Sequence, residues 1–321
     1  MEVSVVIPTY NRPHDLRTCL ESLITQTVPP QSVIVVDNGA DDTTEILVHE
    51  YEEILATSGI TLRYVRNNRN SLTSARNLGF KMSQGDIVLF LDDDVILDAD
   101  YIQEIIKVYK RNPNALGVQG YIASEENRRV RNFFHKLFFL YYLERDQCRV
   151  LPSVSATYPM KLDKIIPCQW LSGANHSYRR RILEEFQYDE RLIKYSEGED
   201  LEFSYRVFKR YPGSLFITPF ARLIHNTSMQ SRALGRELVY MREVYGLYLF
   251  FKLFDQTLEN KLIYLWSRIG QLILTLARAI VKRPPGIMLE LRHLVGAYYF
   301  CLRHVREIKR GELDFFNKTL V

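Results

Sequence analysis

Three short apolar runs in the first hundred residues each end abruptly in a polar cluster. This pattern restricts the fold more than any other feature of the chain. Residues 3–7 lead into Thr9-Tyr10-Asn11, residues 33–36 into Asp37-Asn38-Gly39, and residues 87–91 into Asp92-Asp93-Asp94. Runs this short and continuous read as buried strands. Helical spacing fills the gaps: Pro13 opens a helix with Leu16, Leu20, Leu23 and Ile24 on one face, and further helices are expected over 43–55 and 73–82. Another strand is expected near 62–65. Strand–helix alternation over this length predicts an α/β fold, with a mostly parallel sheet covered by helices on both faces. Ligands of such sheets bind beyond the carboxyl ends of the strands, so the polar clusters gather on one edge. No GxGxxG follows the first strand, which argues against a classical dinucleotide site.

Three adjacent carboxylates repel one another and lose hydration near a core edge. A hard divalent cation among oxygen ligands relieves both costs. A solvated acidic turn capping the next helix is the other reading. Glu197, Glu199, Asp200 and Glu202 form a second acidic cluster at an expected helix start. Acids there suit the helix dipole whether or not one of them acts as a base.

At 321 residues, 46% hydrophobic and 25% charged, the chain has an ordinary globular balance and room for one large domain or two modest ones. The net charge is +4, and residues 230–321 carry 15 Lys/Arg against 8 Asp/Glu, so the basic excess lies in the C-terminal third. Cys19, Cys148, Cys168 and Cys301 form no CxxC pair, which gives neither a zinc pattern nor a disulfide framework and fits a reducing compartment. No signal peptide is expected at the N-terminus. No uncharged apolar stretch reaches the ~18–20 residues of a spanning helix.

Long helices are expected beyond residue 230. Tyr245, Leu249 and Leu253 with Phe250 and Phe251 make one apolar face. Leu262, Leu265, Trp266, Ile269, Leu272, Ile273 and Leu276 make another. These faces, and the aromatic and basic stretch 128–149, either pack onto the rest of the protein or lie on an anionic membrane. In the second case Lys261, Arg268, Arg278, Lys282, Arg283, Arg306, Lys309 and Arg310 would meet lipid headgroups. No recognised module supports nucleic-acid binding.

Four segments, in order, give the chain a resemblance to the family-2 glycosyltransferases of GT-A fold. They are Ser4 to Arg12; Val35-Val36-Asp37-Asn38-Gly39 with Asp41-Asp42; Asn67 through Arg76-Asn77-Leu78-Gly79 into Phe90-Leu91-Asp92-Asp93-Asp94; and Trp170-Leu171-Ser172-Gly173-Ala174-Asn175 with Arg179-Arg180, followed by Glu197-Gly198-Glu199-Asp200-Leu201-Glu202. The resemblance covers residues 1–228. It implies a GT-A catalytic domain there, with a nucleotide-binding half (1–120) and an acceptor half (121–228), followed by an amphipathic helical region over 229–321.

The resemblance also implies roles. Pro8, Thr9, Tyr10, Arg12 and Asp37 fall in the nucleotide pocket, with Asp37 accepting from the base. Arg76 falls near the donor and its phosphates. Asp92 and Asp94 match the DxD pair, Asp94 the more direct metal ligand, with Asp93 on the donor side or simply holding the turn. His225 matches a histidine that some relatives place on the metal or the diphosphate. Asp200 matches the catalytic base, with Glu199, Gly173 and Ala174 beside the substrate. Trp170 is expected to stack on a sugar or to be core.

The implied reaction is inverting, metal-dependent transfer (Mn2+ or Mg2+) from a UDP-, dTDP- or GDP-linked sugar to a lipid-linked or cell-surface glycan. The implied setting is the inner membrane face, as a cytoplasmic, peripheral protein. Two departures matter. The Gln-x-x-Arg-Trp motif of processive synthases is absent, so transfer of one sugar or few is expected. Asn38 stands where the commonest second motif has another acid, which leaves the nucleotide open. A nucleotidyltransferase and a catalytically inactive nucleotide-binding scaffold are the alternative readings.

Overall fold

The computed structural model describes residues 1–122, 129–226 and 235–320. Arg128 and the expected domain boundary at 228/229 therefore lie outside the described residues, as do the other positions in the gaps. The chain divides into two compact units. One comprises Met1–Glu125, Met160–Tyr195 and Glu199–Arg232; the other comprises Glu126–Pro159, Ser196–Gly198 and Ala233–Val321. Most of the aromatic and basic stretch thus clusters with the C-terminal helices.

The first unit opens with β1 (Val3–Thr9), α1 (Pro13–Ile24), β2 (Ser32–Asp37), α2 (Thr43–Thr57), β3 (Thr61–Arg66), α3 (Leu72–Met82) and β4 (Ile87–Phe90), the alternation predicted from sequence. β5 (Val95–Leu97), α4 (Tyr101–Arg111) and β6 (Gly117–Ile122) follow. The second unit then takes α5 (Arg129–Leu137), β7 (Tyr142–Glu144), β8 (Val150–Leu151) and β9 (Ser155–Pro159). The first unit resumes with β10 (Ile166–Cys168), β11 (His176–Arg179), α6 (Arg180–Glu185), α7 (Glu199–Arg210) and β12 (Leu215–His225). The second unit is completed by α8 (Gly235–Leu253), α9 (Leu258–Val281), α10 (Ile287–Arg303), α11 (Val305–Arg310) and α12 (Asp314–Asn317).

A nine-stranded sheet organises the first unit, in the order β10-β12-β6-β11-β4-β1-β2-β3, with β5 paired to β12. The half formed by β3, β2, β1 and β4 is parallel. β1, β2 and β4 are buried at every position, which is why they read as unbroken apolar runs. Leu16, Leu20 and Leu23 of α1 are fully buried and Ile24 packs at the edge of the same core. Each such leucine contributes about 1.5–3 kcal/mol of burial. Beyond β4 the sheet is mixed: β11 runs antiparallel to both β4 and β6. β12 is parallel to β6, shifts register between Thr218 and Arg222, and then pairs antiparallel with β5. The last pairing sets His225 opposite Val95, beside Asp94.

In the second unit, β7, β9 and β8 form a small sheet. Tyr245, Leu249, Phe250 and Leu253 of α8 are buried, so that apolar stripe is core. α9 behaves differently. Its inward face is Tyr264, Ser267, Gly270 and Thr275, while Leu258, Leu262, Leu265, Trp266, Ile269, Ile273, Leu276 and Ile280 are exposed. Arg268, expected at lipid headgroups, instead pairs with buried Glu243 at 3.0 Å and donates to the Ser153 carbonyl. Phe133, Phe134 and Leu137 of α5 are also exposed, and Trp266 Nε1 donates to the Leu137 carbonyl at 2.9 Å. Among the described residues, no helix is long and apolar enough to cross a membrane.

Candidate active site

The carboxyl ends of the parallel strands bring three of the polar clusters together, as the alternation predicts. Thr9 ends β1 and Asp37 ends β2 in direct register. Asp92, Asp93 and Asp94 follow β4, which pairs with β1 on its other side.

The three aspartates stand with two arginines among them. Arg12 Nη1 lies 3.0 Å from Asp93 Oδ1 and 3.6 Å from Asp94 Oδ2. Thr9 Oγ1 donates to Asp93 Oδ2 at 2.7 Å. Burial pushes the Asp93 carboxyl up to about 7, with Arg12 and Thr9 pulling the other way. Burial disfavours the Arg12 charge, yet Asp93 and Asp94 more than offset this and raise its pKa. Arg76 Nη2 reaches Asp92 Oδ1 at 3.5 Å.

Asp94 and Asp92 also face His225. Its Nε2 is 2.9 Å from Asp94 Oδ1 and 4.0 Å from Asp92 Oδ2. One ligand atom from each of these three residues falls within 4.8 Å of the others. Two carboxylates and an imidazole form a donor set that fits a divalent cation, and the short distances suit a shared ion. A neutral imidazole offers its Nε2 lone pair to a cation that the two carboxylates would share. The backbone holds this geometry, for Asn226 N donates to the Asp94 carbonyl at 2.9 Å.

The second acidic cluster opens α7 and joins the first through a glycine. Gly173 N donates to Asp200 Oδ2 at 2.8 Å, and Leu201 N donates to Asp200 Oδ1 at 2.7 Å. The Gly173 carbonyl accepts from Arg76 Nη2 at 3.0 Å. Arg76 Nη1 is bonded to Glu199 Oε1. The adjacent Ala174 carbonyl accepts from Asp92 N at 3.1 Å. Burial pushes the Asp200 carboxyl above its ordinary value, while the Gly173 N–H and Arg76 hold it down. Burial raises Glu199 to about 8 against the pull of Arg76. A Cβ on Gly173 would meet Arg76 Nη2 at 3.1 Å, Asp200 Oδ2 at 3.3 Å and Glu199 Oε1 at 3.4 Å, so this position suits glycine.

The remaining expected site residues are held by contacts of their own. Asp37 is fully buried, with Oδ1 accepting from Gly39 N at 2.7 Å and Oδ2 from the Tyr64 hydroxyl at 2.9 Å. Pro8 is buried inside β1, and Tyr10 is half-buried in the following loop. Trp170 is only 8% exposed. Arg179 and Arg180 donate to backbone carbonyls of residues 85, 109 and 115. Arg76 is 1% exposed.

Three contributors escape sequence reasoning. Tyr64 reaches Asp37 from β3. Tyr188 lies with its ring centroid 5.5 Å from the Arg76 guanidinium. His176 bonds the Tyr188 hydroxyl at 2.5 Å and the Ser172 carbonyl at 2.9 Å. Burial and Arg76 hold its pKa well below the usual histidine value, so the ring is neutral. None of the three stands in a motif; each is placed by packing between elements.

The architecture is that of the GT-A glycosyltransferases. The mannosyltransferase PcManGT from Pyrobaculum calidifontis superposes with a TM-score of 0.58 at 15% identity, covering 94% of this chain and 87% of that one. TarS 1–349 from S. aureus gives 0.53 at 15% identity, covering 92% and 81%. The sequence profile of glycosyl transferase family 2 matches residues 4–187, and the chain belongs to that family. Glycosyltransferase GlyA of Streptococcus pneumoniae is 27% identical over 189 residues, 59% of this chain and 26% of the relative. The glucosyl-dolichyl phosphate glucuronosyltransferase of Haloferax volcanii is 28% identical over 141 residues, 43% of this chain and 44% of the relative. The matched region thus spans less than half the length of each of these two relatives.

Proposed function

We propose that this chain transfers a single sugar, or few, from a nucleotide-diphospho-sugar to a hydroxyl of a lipid-linked or cell-surface glycan, with inversion. One observation carries the reading. The Asp200 carboxylate and the Asp92–Asp94–His225 donor set lie at the ends of one hydrogen-bonded chain through Gly173 and Arg76. A carboxylate whose pKa burial raises above its ordinary value is a competent general base for an acceptor hydroxyl, whose own pKa is far too high to ionise unaided.

In this reading Asp200 takes the hydroxyl proton as the acceptor oxygen attacks the anomeric carbon. The bond from that carbon to the diphosphate oxygen breaks in the same step, and a single in-line displacement inverts the centre. A bound Mn2+ or Mg2+, held by Asp92, Asp94 and His225, would supply Lewis-acid stabilisation of the diphosphate leaving group. The PcManGT complex with GDP-Man and Mn2+ supports the donor class and the metal. Pro8, Thr9, Tyr10 and Asp37 are proposed to receive the nucleotide, and Arg12 and Asp93 to shape the donor side. Ala174 is proposed to line the substrate site, and residues 1–228 to form the catalytic domain.

The exposed apolar face of α9, with Lys261 on the helix and Lys282 and Arg283 just past its end, supports peripheral attachment to an anionic membrane, on its cytoplasmic face; Arg278 pairs with Glu290 at 2.6 Å. The test is chromatography of nucleotide products from a panel of UDP-, dTDP- and GDP-sugars with Mn2+ or Mg2+. Nucleoside diphosphate release coupled to a glycosylated acceptor is expected; pyrophosphate would indicate nucleotidyl transfer instead. Asp200→Asn should lose about 100-fold or more in kcat with donor binding retained, and full turnover in EDTA would remove the metal from the reading.

A further inference from the structure

We infer that Arg76 is a positioning residue for Asp200, acting through the backbone of Gly173, and not a direct ligand of the donor phosphates. The inference rests on the transfer reading above, in which Asp200 is the base.

Arg76 is the largest fully buried side chain among the described residues, and its fork faces protein groups. Nη1 goes to Glu199, and Nη2 is shared between the Gly173 carbonyl at 3.0 Å and Asp92 at 3.5 Å. The Tyr188 ring packs on the guanidinium, and the neutral His176 ring fixes both Tyr188 and the Ser172 carbonyl. A planar fork with fixed donor directions holds several acceptors at once, which an ammonium cannot do with the same geometry.

Gly173 is thereby gripped at both backbone ends. Its carbonyl accepts from Arg76 and its N–H donates to Asp200 Oδ2. The space around its Cα is closed by Arg76, Asp200 and Glu199 together. A displacement of the guanidinium therefore displaces the N–H that orients the Asp200 carboxylate. The second contact of Nη2 extends the same chain to Asp92, on the donor side of the site. The cluster is also a poor device for stability alone. Arg76 Nε and Glu199 Oε2 are buried with no hydrogen-bond partner among the described residues. Burying the Arg76 charge costs free energy that well-packed apolar side chains of similar volume would not incur. What it does supply is fixed geometry between two functional carboxylates.

The groups facing Asp200 are Arg76, Glu199 and Asp92, with the phenols of Tyr178 and Tyr188 behind. Arg76 holds the Asp200 carboxyl down, so loss of its charge moves the acid limb of the rate profile to higher pH.

The experiment measures kcat, donor KM, calorimetric nucleotide Kd and the pH profile of kcat for the full chain and its variants. Arg76→Lys keeps the charge and loses the fork. It should lower kcat by about 10- to 100-fold, with KM and Kd within about 3-fold and the acid limb unmoved. Arg76→Met should lower kcat as well and shift the limb upward. Gly173→Ala crowds the same triangle while leaving the Arg76 charge in place, and should reproduce the kcat loss with Kd unchanged. A rise of about 10-fold or more in donor KM and nucleotide Kd with kcat retained would make Arg76 a donor ligand and overturn the proposal. Lower thermal stability with kcat per folded molecule and the acid limb unchanged would reduce it to a structural residue, and also overturns it. Absence of transfer by the unmodified chain defeats the transfer reading itself; the Kd comparison still decides whether Arg76 binds the donor.

Discussion

His225 Nε2 lies 2.9 Å from Asp94 Oδ1, although the two residues come from different strand ends. The antiparallel pairing of β12 with β5 makes this contact, since it sets His225 opposite Val95, the residue after Asp94. Replacing His225 by Ala should weaken Mn2+ binding by about 10-fold or more, on the scale of perturbed metal sites. Titration of Mn2+ by electron paramagnetic resonance reads this directly. Unaltered affinity would remove His225 from the metal site.

Asp37 depends on Tyr64. The Tyr64 hydroxyl donates to Asp37 Oδ2 at 2.9 Å, and the carboxylate is fully buried. Tyr64→Phe removes that donor and leaves a buried oxygen short of a partner. A loss of about 1–3 kcal/mol is expected, measured by urea denaturation. If Asp37 serves the nucleotide, calorimetry on the same variant should also show weaker nucleotide binding.

Glu199 gives a pH dependence of stability whose sign is determined. Burial raises its carboxyl from an ordinary 4.5 to about 8 in the folded protein. Between those values the folded state binds more protons than the unfolded state, so stability falls as pH rises through that window. Thermal denaturation from pH 5 to 8 should show this decline, and Glu199→Gln should flatten it. An equal slope in the variant would assign the decline to other groups.

The outward face of α9 should carry membrane binding. Cosedimentation with vesicles containing phosphatidylserine is expected, weakening as salt rises because part of the attraction is electrostatic. Leu265→Glu and Ile269→Glu place charge on the exposed apolar stripe without touching the buried Tyr264–Ser267–Gly270 face. Both should abolish cosedimentation while leaving nucleotide binding intact.

Much of the first unit is legible in the sequence, for a physical reason. β1, β2 and β4 are buried on both faces, so each is a continuous apolar run with a sharp polar end. β12 hides, because it alternates buried and exposed positions, contains Pro219 and changes register midway. Asp92, Asp93 and Asp94 announce themselves as neighbours in sequence. The burial of Arg76 does not, since a helical arginine surrounded by Ser74, Ala75 and Asn77 looks like a surface residue until Glu199 and Gly173 are packed against it. The same limit applies to the two apolar helical stripes, one inward on α8 and one outward on α9. Their spacing is alike, and only the neighbouring elements decide which is covered.

The loops after β1 and β2 are interlocked at Gly39. A Cβ there would sit 2.5 Å from Asn11 Oδ1 and 2.9 Å from Asp37 Oδ1. A library that randomises position 39 alone should therefore return glycine. Shrinking Asn11 alone does not release the position, because Asp37 still blocks it. If these loops receive the nucleotide as proposed, retargeting by directed evolution calls for simultaneous variation at 11, 37 and 39.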